Sequence, residues 1–166
     1  MPIIVRDAYS NELMSKLTTT GVFVTSGTPA NVMTVHWGAF GTFWGKPVFV
    51  LAVRKNRYSY GLIDKSGEFA ISVPRKDLSW SINKCEHVSG RECDKFIYCN
   101  LHPTAARQIK TSVVRDCGLH FECRVLFKTG MEGAPFLNAQ LKSVFYKDAA
   151  NYHTWYFAEV VEAYEL

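Results

Sequence analysis

A short run of cations and small polar residues has the composition of an anion site: Arg54, Lys55, Asn56, Arg57, Tyr58 and Ser59. It follows an apolar stretch, residues 48–53, that predicts a buried strand, and Asn56 is a residue type that often caps a helix. We therefore expect a helix that begins here and runs to about Lys65, with Ser59 as its third residue. The first amides of a helix lack intrahelical acceptors and lie at the positive end of its dipole. Together with the cations they predict an anion site, most simply for a phosphate.

A glycine-spaced segment precedes this run, with Gly38, Gly41 and Gly45 set among aromatic residues. Glycine inside a strand pattern marks a bulge or a place where a bulky group approaches the backbone. The segment is not the dinucleotide-binding fingerprint, because its glycines do not open a helix and no βαβ unit surrounds them. A planar ring that ends in a phosphate would suit both the glycine-spaced segment and the cationic run.

The elements that must position these residues are mostly strands. Alternation and apolar runs predict strands over residues 21–26, 31–44, 48–53, 68–73, 121–128, 136–146 and 152–164. Residues 11–16 favour a helical turn, Asp77 is the expected cap of a second short helix over 78–85, and Glu122 is expected on a solvent-facing side of its strand. Because strands and helices do not alternate, we predict a mainly β fold, a small antiparallel barrel with helical excursions.

Length and composition indicate a single domain over residues 1–166, large enough to bury a core without disulfides or a structural metal. The net charge of +4 suits a small anionic ligand and is too small to argue for nucleic acid. No apolar run approaches the roughly 18 residues of a membrane span, and the first residues lack a signal-peptide pattern. The odd number of cysteines, 5, favours reduced thiols in the cytoplasm.

Several cysteines and histidines invite a metal-site interpretation: Cys85, His87, Cys93, Cys99 and His102. Their spacing lacks the Cys-x-x-Cys pattern of structural zinc sites and of thioredoxin-like proteins, so we predict no metal. No arrangement of Ser, His and Asp in the sequence indicates hydrolysis. The aromatic residues near the carboxyl terminus are expected in strand core or in a dimer interface, with His153 on the surface.

Three motifs in order carry a resemblance to a known family: residues 31–37 (Asn-Val-Met-Thr-Val-His-Trp), residues 54–59, and Ser89-Gly90-Arg91 followed by Asp94-Lys95-Phe96. Together with the closing segment 155–161, they resemble the flavin reductase-like domain of the FMN-binding split-barrel superfamily, flavoredoxin type. The resemblance covers the chain from about residue 21 to 165. One departure is that Cys85 is followed by Glu86 and His87, where members of this type often carry Cys-Gly.

The resemblance implies a split β-barrel of antiparallel Greek-key type and a homodimer that binds FMN near the subunit interface. It implies that the ring and ribityl chain are bordered by Asn31, Val32, Met33 and Thr34, with Trp37 as a candidate neighbour. The phosphate would be held by Arg54, Lys55, Asn56, Arg57 and Ser59. The segment that closes over the cofactor would supply Ser89, Gly90, Arg91, Asp94 and Lys95.

We therefore predict an FMN-dependent oxidoreductase that takes hydride from NADH or NADPH, or electrons from a protein partner, and passes them on. The cofactor supplies the redox chemistry, so no side chain is assigned as a catalytic residue. Lys95 and Arg91 are expected to stabilise the reduced, anionic ring. Two alternatives remain open: a flavin-binding electron carrier or sensor without turnover and, ranked below it, a basic barrel that binds single-stranded nucleic acid through its aromatic residues.

Overall fold

Strands dominate the architecture. A computed structural model describes residue 5, residues 7–148 and residues 150–166. Within these ranges the strands are β1 (Val22–Ser26), β2 (Asn31–Val35), β3 (Gly38–Phe43), β4 (Lys46–Arg54), β5 (Glu68–Val73), β6 (Pro103–Ala105), β7 (Ser112–Val114), β8 (Leu119–Gly130) and β9 (His153–Glu165). The helices are α1 (Asp7–Leu17), α2 (Tyr58–Ser66), α3 (Ser79–His87), α4 (Lys95–Tyr98) and α5 (Ala139–Phe145).

Seven of the strands form one antiparallel sheet in the order β2-β1-β5-β8-β9-β4-β3, while β6 pairs with β7 in a separate ribbon. The two longest strands, β8 and β9, lie side by side, and shifts of register near Glu122 and Val125 mark irregularities that bend such a pair. Strands β2 and β3 form the two edges, so the sheet does not close on itself. The predicted mainly β, antiparallel class is confirmed, and the open edges are consistent with a split barrel.

Two apolar clusters fill the interior. The larger one packs α1 and α2 against the sheet and includes the fully buried side chains of Leu13, Phe49, Ile71 and Phe121. The second lies where β1 and β2 meet α3 and α4, and its members include Phe23, Val32, Ile82, Cys85, Phe96 and Cys99. This second cluster forms the floor of the site described below. In the part of the chain that the structure describes, no helix is long and apolar enough to span a membrane.

The long strand predicted over residues 31–44 is wrong, because the chain forms two strands there. β2 pairs with β1 at one edge of the sheet, whereas β3 pairs with β4 at the other. His36 and Trp37 connect β2 at one edge of the sheet to β3 at the other. At Gly38 a Cβ atom would lie only 2.4 Å from the ring of Phe49, so the glycine permits a close approach to β4. Residues 36–37, His-Trp, carry no turn signal, and for this reason the sequence pattern predicts one continuous strand over residues 31–44.

Three other local predictions are also corrected. The strand expected over residues 136–146 contains the helix α5, whose first amides donate to the side chain of Asn138. Glu122 is fully buried instead of facing solvent, because the ribbon region and β9 supply donors to both of its oxygens. His153 is also buried, and its Nδ1 atom lies 2.8 Å from the hydroxyl of Tyr146.

Candidate functional site

The anion site predicted from the cationic run lies at the start of α2. The N-cap is Arg57, with φ −73° and ψ 139°, and no side chain caps the helix. The prediction of Asn56 as the cap is therefore wrong, and Ser59 is the second helical residue instead of the third. The amides of Tyr58 and Ser59 lie in the first turn, where the helix itself offers no acceptor. The helix ends at Gly67 in a left-handed conformation, as its sequence predicts.

Ser59 joins the helix start to the edge strand β2. The amide nitrogen Nδ2 of Asn31 donates to Oγ of Ser59 over 2.9 Å, and both side chains are buried. This hydrogen bond fixes the position of the first strand motif relative to the first turn of α2. Two motifs that are 28 residues apart in sequence therefore form one surface.

The segment that follows α3 covers the same surface. Arg91 donates from Nη1 to the carbonyl of Asn56 over 2.9 Å, and its guanidinium lies 5.5 Å from the ring centroid of Tyr58. A Cβ atom at Gly90 would lie 2.2 Å from Oδ1 of Asn31 and 2.5 Å from the Tyr58 ring. Only glycine fits this approach, so the Ser-Gly-Arg motif seats its loop directly on β2 and α2.

These elements enclose a cleft of about 680 Å³. Its volume falls in the roughly 300–1,000 Å³ range of small-molecule and cofactor sites. The predicted site residues that line it are Asn31, Met33, Thr34, Asn56, Arg57, Ser59, Ser89, Gly90, Arg91 and Lys95. All three motifs that are separate in sequence therefore meet around one cavity.

The other predicted site residues lie outside this lining. Val32 is fully buried in the second apolar cluster. Asp94 caps α4, accepting from the amides of Phe96 and Ile97. Trp37 stands beside an adjoining cavity of about 210 Å³, with its ring 4.9 Å from that of His153.

Two of the predicted phosphate-binding cations are also engaged elsewhere. Arg54 borders the smaller cavity and donates to the carbonyls of Asn151 and Phe145, each over 2.8 Å. The Nζ atom of Lys55 lies 2.5 Å from a carboxylate oxygen of Glu132 in an exposed ion pair. Arg57 is the cation of the run that lines the large cleft, and it borders the smaller cavity as well.

Several residues that line the cleft are not among the predicted site residues. His36 and Glu86 form an exposed pair at 2.7 Å that links the end of β2 to α3. Tyr58 and Glu92 also border the cavity. A helix cap was expected at Asp77, and its carboxylate accepts from the Ser79 amide, but the N-cap is Leu78. The position of α3, which brings Cys85 and Glu86 to the cleft, depends on packing across the fold and has no local signal.

The electrostatics of the cleft are shaped by burial. Lys95 is only 5% exposed, yet it borders the cavity and lies near the thiols of Cys85 and Cys99. Burial, with smaller contributions from Arg54 and Arg57, lowers the pKa of His153 to about 4, so this histidine is neutral at pH 7. Among the described residues no group of three His, Cys, Asp or Glu side chains is placed to hold a metal ion.

Comparisons with known proteins found relatives in sequence and in structure. An uncharacterized protein of Archaeoglobus fulgidus is 29% identical over 96 residues, which cover 58% of this chain and 54% of that protein, so the match spans about half of the relative. The flavoredoxin structure from Methanosarcina acetivorans matches with a TM-score of 0.68 and 19% identity, over 88% of this chain and 68% of that one.

An NADH:FAD oxidoreductase of Streptomyces globisporus, solved in complex with NAD and FAD fragments, matches with a TM-score of 0.65 and 18% identity, over 88% of this chain and 74% of that one. These structural likenesses establish the fold. The flavin reductase like domain family matches residues 14–165, well over half of the 166 residues. This chain therefore belongs to the flavin reductase-like domain family, as its motifs indicate.

Proposed function

We propose that the chain binds FMN in the large cleft and acts as a flavin-dependent oxidoreductase. The observation that carries this proposal is the meeting of three segments, β2, the start of α2 and the loop after α3, around one cavity of about 680 Å³. The lining combines the cations Arg57, Arg91 and Lys95 with apolar and neutral polar groups and with two carboxylates, Glu86 and Glu92. Such a lining suits an elongated anion with an aromatic ring.

The phosphate of FMN would lie against the first turn of α2. Arg57 and the amides of Tyr58 and Ser59 supply the donors there, and the helix dipole adds positive potential. Arg91 is anchored to the carbonyl of Asn56, so its remaining donors are held near the same end. This donor set fits a phosphate, because a charged guanidinium and backbone amides are its usual ligands.

The ring would lie toward Met33, Thr34 and Lys95. Thr34 is half-buried, and its hydroxyl lies 3.4 Å from the carbonyl of Ile82. Lys95 holds a buried positive charge on this side, where it favours negative charge on a reduced ring. A bound flavin supplies the hydride and electron transfer chemistry, while the chain orients it, limits the access of water and places this charge.

The first experiment is the visible absorption spectrum of the purified protein, followed by chromatography of the cofactor that heat releases. We expect a yellow protein that releases FMN. Release of FAD would keep the flavin class and correct the cofactor. A colourless protein that takes up neither flavin would contradict the proposal.

The electron donor is tested on the flavin-loaded protein. Steady oxidation of NADH or NADPH, with oxygen or free flavin as acceptor, is expected of a reductase. A loaded protein that turns over neither nicotinamide would instead favour the electron-carrier alternative. A substrate that is reduced only when a protein donor is added would assign that donor as the partner.

We further propose that the chain acts as a homodimer. A contiguous aromatic cluster lies at the turn between β3 and β4 and on the neighbouring strands: Phe43, Trp44, Phe127 and Phe157. Trp44 is 62% exposed and Phe127 is 50% exposed, which is unusual for a cluster of this size on a monomer. Sedimentation equilibrium should give a dimer, and Trp44→Lys should weaken it; a monomer at micromolar concentration would contradict this proposal.

A further inference from the structure

Two thiols lie together at the floor of the cleft. Cys85 belongs to α3 and borders the cavity, and Cys99 follows the last residue of α4. Both side chains are buried in the second apolar cluster, and each thiol is the main cause of the other's pKa shift, as expected of neighbours. The Sγ atom of Cys85 also lies 3.6 Å from the carbonyl oxygen of Val32. The proposed oxidoreductase scheme assigns no role to this pair.

The surroundings of Cys85 favour its thiolate. The hydrogen bond from Cys99, followed by the charge of Lys95, outweighs burial and lowers the pKa of Cys85 to about 6. The pKa of Cys99 is raised instead, first by its hydrogen bond to Cys85 and then by burial, as expected when one proton is shared between two thiols.

The other buried cysteines show that this environment is specific. Cys117 and Cys123 are also buried, but burial raises the pKa of each thiol well above its ordinary value. Neither lines the cleft. A thiol whose pKa burial raises is a poor nucleophile, whereas a thiolate beside a lysine is a good one. Cys117 and Cys123 therefore serve as buried controls for Cys85 and Cys99.

We propose that Cys85 and Cys99 form a redox-active dithiol that exchanges two electrons with the flavin bound in the cleft. The inference rests on the proposed function for its electron acceptor. In the exchange the Cys85 thiolate and the Cys99 thiol form one S–S bond and release two electrons and one proton. An oxidised flavin takes up these electrons and this proton and becomes the reduced anion. Before the exchange the Cys85 thiolate carries the negative charge, and Lys95 lies beside it.

The first test does not depend on flavin. The full-length protein is treated with diamide, unfolded in iodoacetamide, digested and analysed by mass spectrometry. We expect a peptide linked between Cys85 and Cys99, with Cys117 and Cys123 alkylated. Cys93→Ser is the matched control and should still form the link, whereas Cys99→Ala should not. Alkylated Cys85 and Cys99, at a diamide concentration that oxidises glutathione in the same tube, would overturn the proposal, as would a link from Cys85 to Cys93.

The second test measures the exchange. Diamide-treated, desalted and flavin-loaded protein is titrated anaerobically with dithionite. Wild type should take up four electrons per bound flavin, and Cys99→Ala should take up two, with circular dichroism showing that the variant is folded. Two electrons for wild type would overturn the exchange. A protein that forms the linked peptide but binds no flavin would overturn the proposed function and the exchange together, while the disulfide itself would stand.

Discussion

Two buried charges in this protein have opposite surroundings. Glu122, on β8, is fully buried and accepts from the amides of Arg107 and Gln108 at 2.7 and 2.6 Å and from the hydroxyl of Tyr164 at 2.8 Å. Lys95 is nearly as buried, but no carboxylate in the described ranges forms an ion pair with it. Its neighbours are two thiols and an open cleft.

We interpret Glu122 as a structural charge and Lys95 as a charge that serves the proposed flavin site. A buried carboxylate that has several donors holds neighbouring segments together, and here Glu122 ties the chain before β7 to β8 and β9. A buried cation without a carboxylate partner is costly, and Lys95 has only thiols and the cleft beside it. We therefore expect its charge to be offset by the Cys85 thiolate and by an anionic group bound in the cleft. The following predictions test this division, beginning with the largest expected effect.

Glu122→Gln should lower the free energy of unfolding by about 3–5 kcal/mol. The amides of Arg107 and Gln108 donate to different oxygens of the carboxylate, and a glutamine amide has only one oxygen, so one buried donor loses its acceptor. Flavin affinity should be unchanged in the fraction that folds. Glu162→Gln, at the position paired with Glu122 across β8 and β9, is a half-buried control that should cost less than about 1 kcal/mol. Urea unfolding measures both, and equal losses would contradict a special role for Glu122.

The structural region should also make the protein sensitive to acid. Burial is the main cause that lowers the pKa of His120, which lies beside Tyr164, to about 4. The unfolded chain binds this proton at pH values near 6.5, so the free energy of unfolding should fall as the pH drops from about 6.5 to 4, by about 3 kcal/mol at most. His120→Gln should flatten this slope in urea titrations; an unchanged slope would assign the acid sensitivity to other groups.

On the functional side, Arg57→Ala should weaken FMN binding about 10- to 100-fold, since one charged hydrogen bond contributes about 1.5–3 kcal/mol. Riboflavin has no phosphate and should bind wild type and the variant equally well. Lys55→Ala is the control, because Lys55 is paired with Glu132 outside the cleft. Fluorescence quenching titrations compare the three proteins with both ligands, and a larger loss for Lys55→Ala would move the phosphate away from Arg57.

Lys95→Met should have the smallest effect on stability, a change of less than about 1 kcal/mol or a gain, because no carboxylate among the described residues forms an ion pair with this buried lysine. The pKa of Cys85 should rise, since the lysine charge favours the thiolate. Ultraviolet absorbance of the thiolate against pH measures this pKa. A loss of stability as large as that of Glu122→Gln would place Lys95 with the structural charges.

Local signals predicted much of the fold. The sequence correctly predicts the strand over residues 68–73 and the glycine that ends α2, because each depends on a few neighbouring residues. It does not predict the break at residues 36–37, the helix α5 or the burial of Glu122. Each of these depends on partners far along the chain: β3 needs β4, and Glu122 needs donors near residue 107. Periodicity carries no information on such partners.

The candidate site also combines features that neighbouring residues predict with features that depend on partners far along the chain. The run from Arg54 to Ser59 correctly indicated a helix start, but the sequence did not distinguish its cations. Arg57 faces the cleft, while Arg54 and Lys55 bind groups on α5 and in the turn after β8. The proximity of Cys85 to Cys99 depends on how α3 and α4 each pack against β2. Sequence spacing reveals neither contact.

The hydrogen bond from Asn31 to Ser59 has a consequence for the order of folding. This contact and the others around the cleft join residues that are 28, 35 and 50 positions apart in sequence. The sheet needs much longer closures, since β4 pairs with β9 across most of the chain, as in Val48 with Glu159. Loop-closure entropy is therefore smaller for the contacts around the cleft than for the β4–β9 pairing. We expect the walls of the cleft to form before that last pairing is complete.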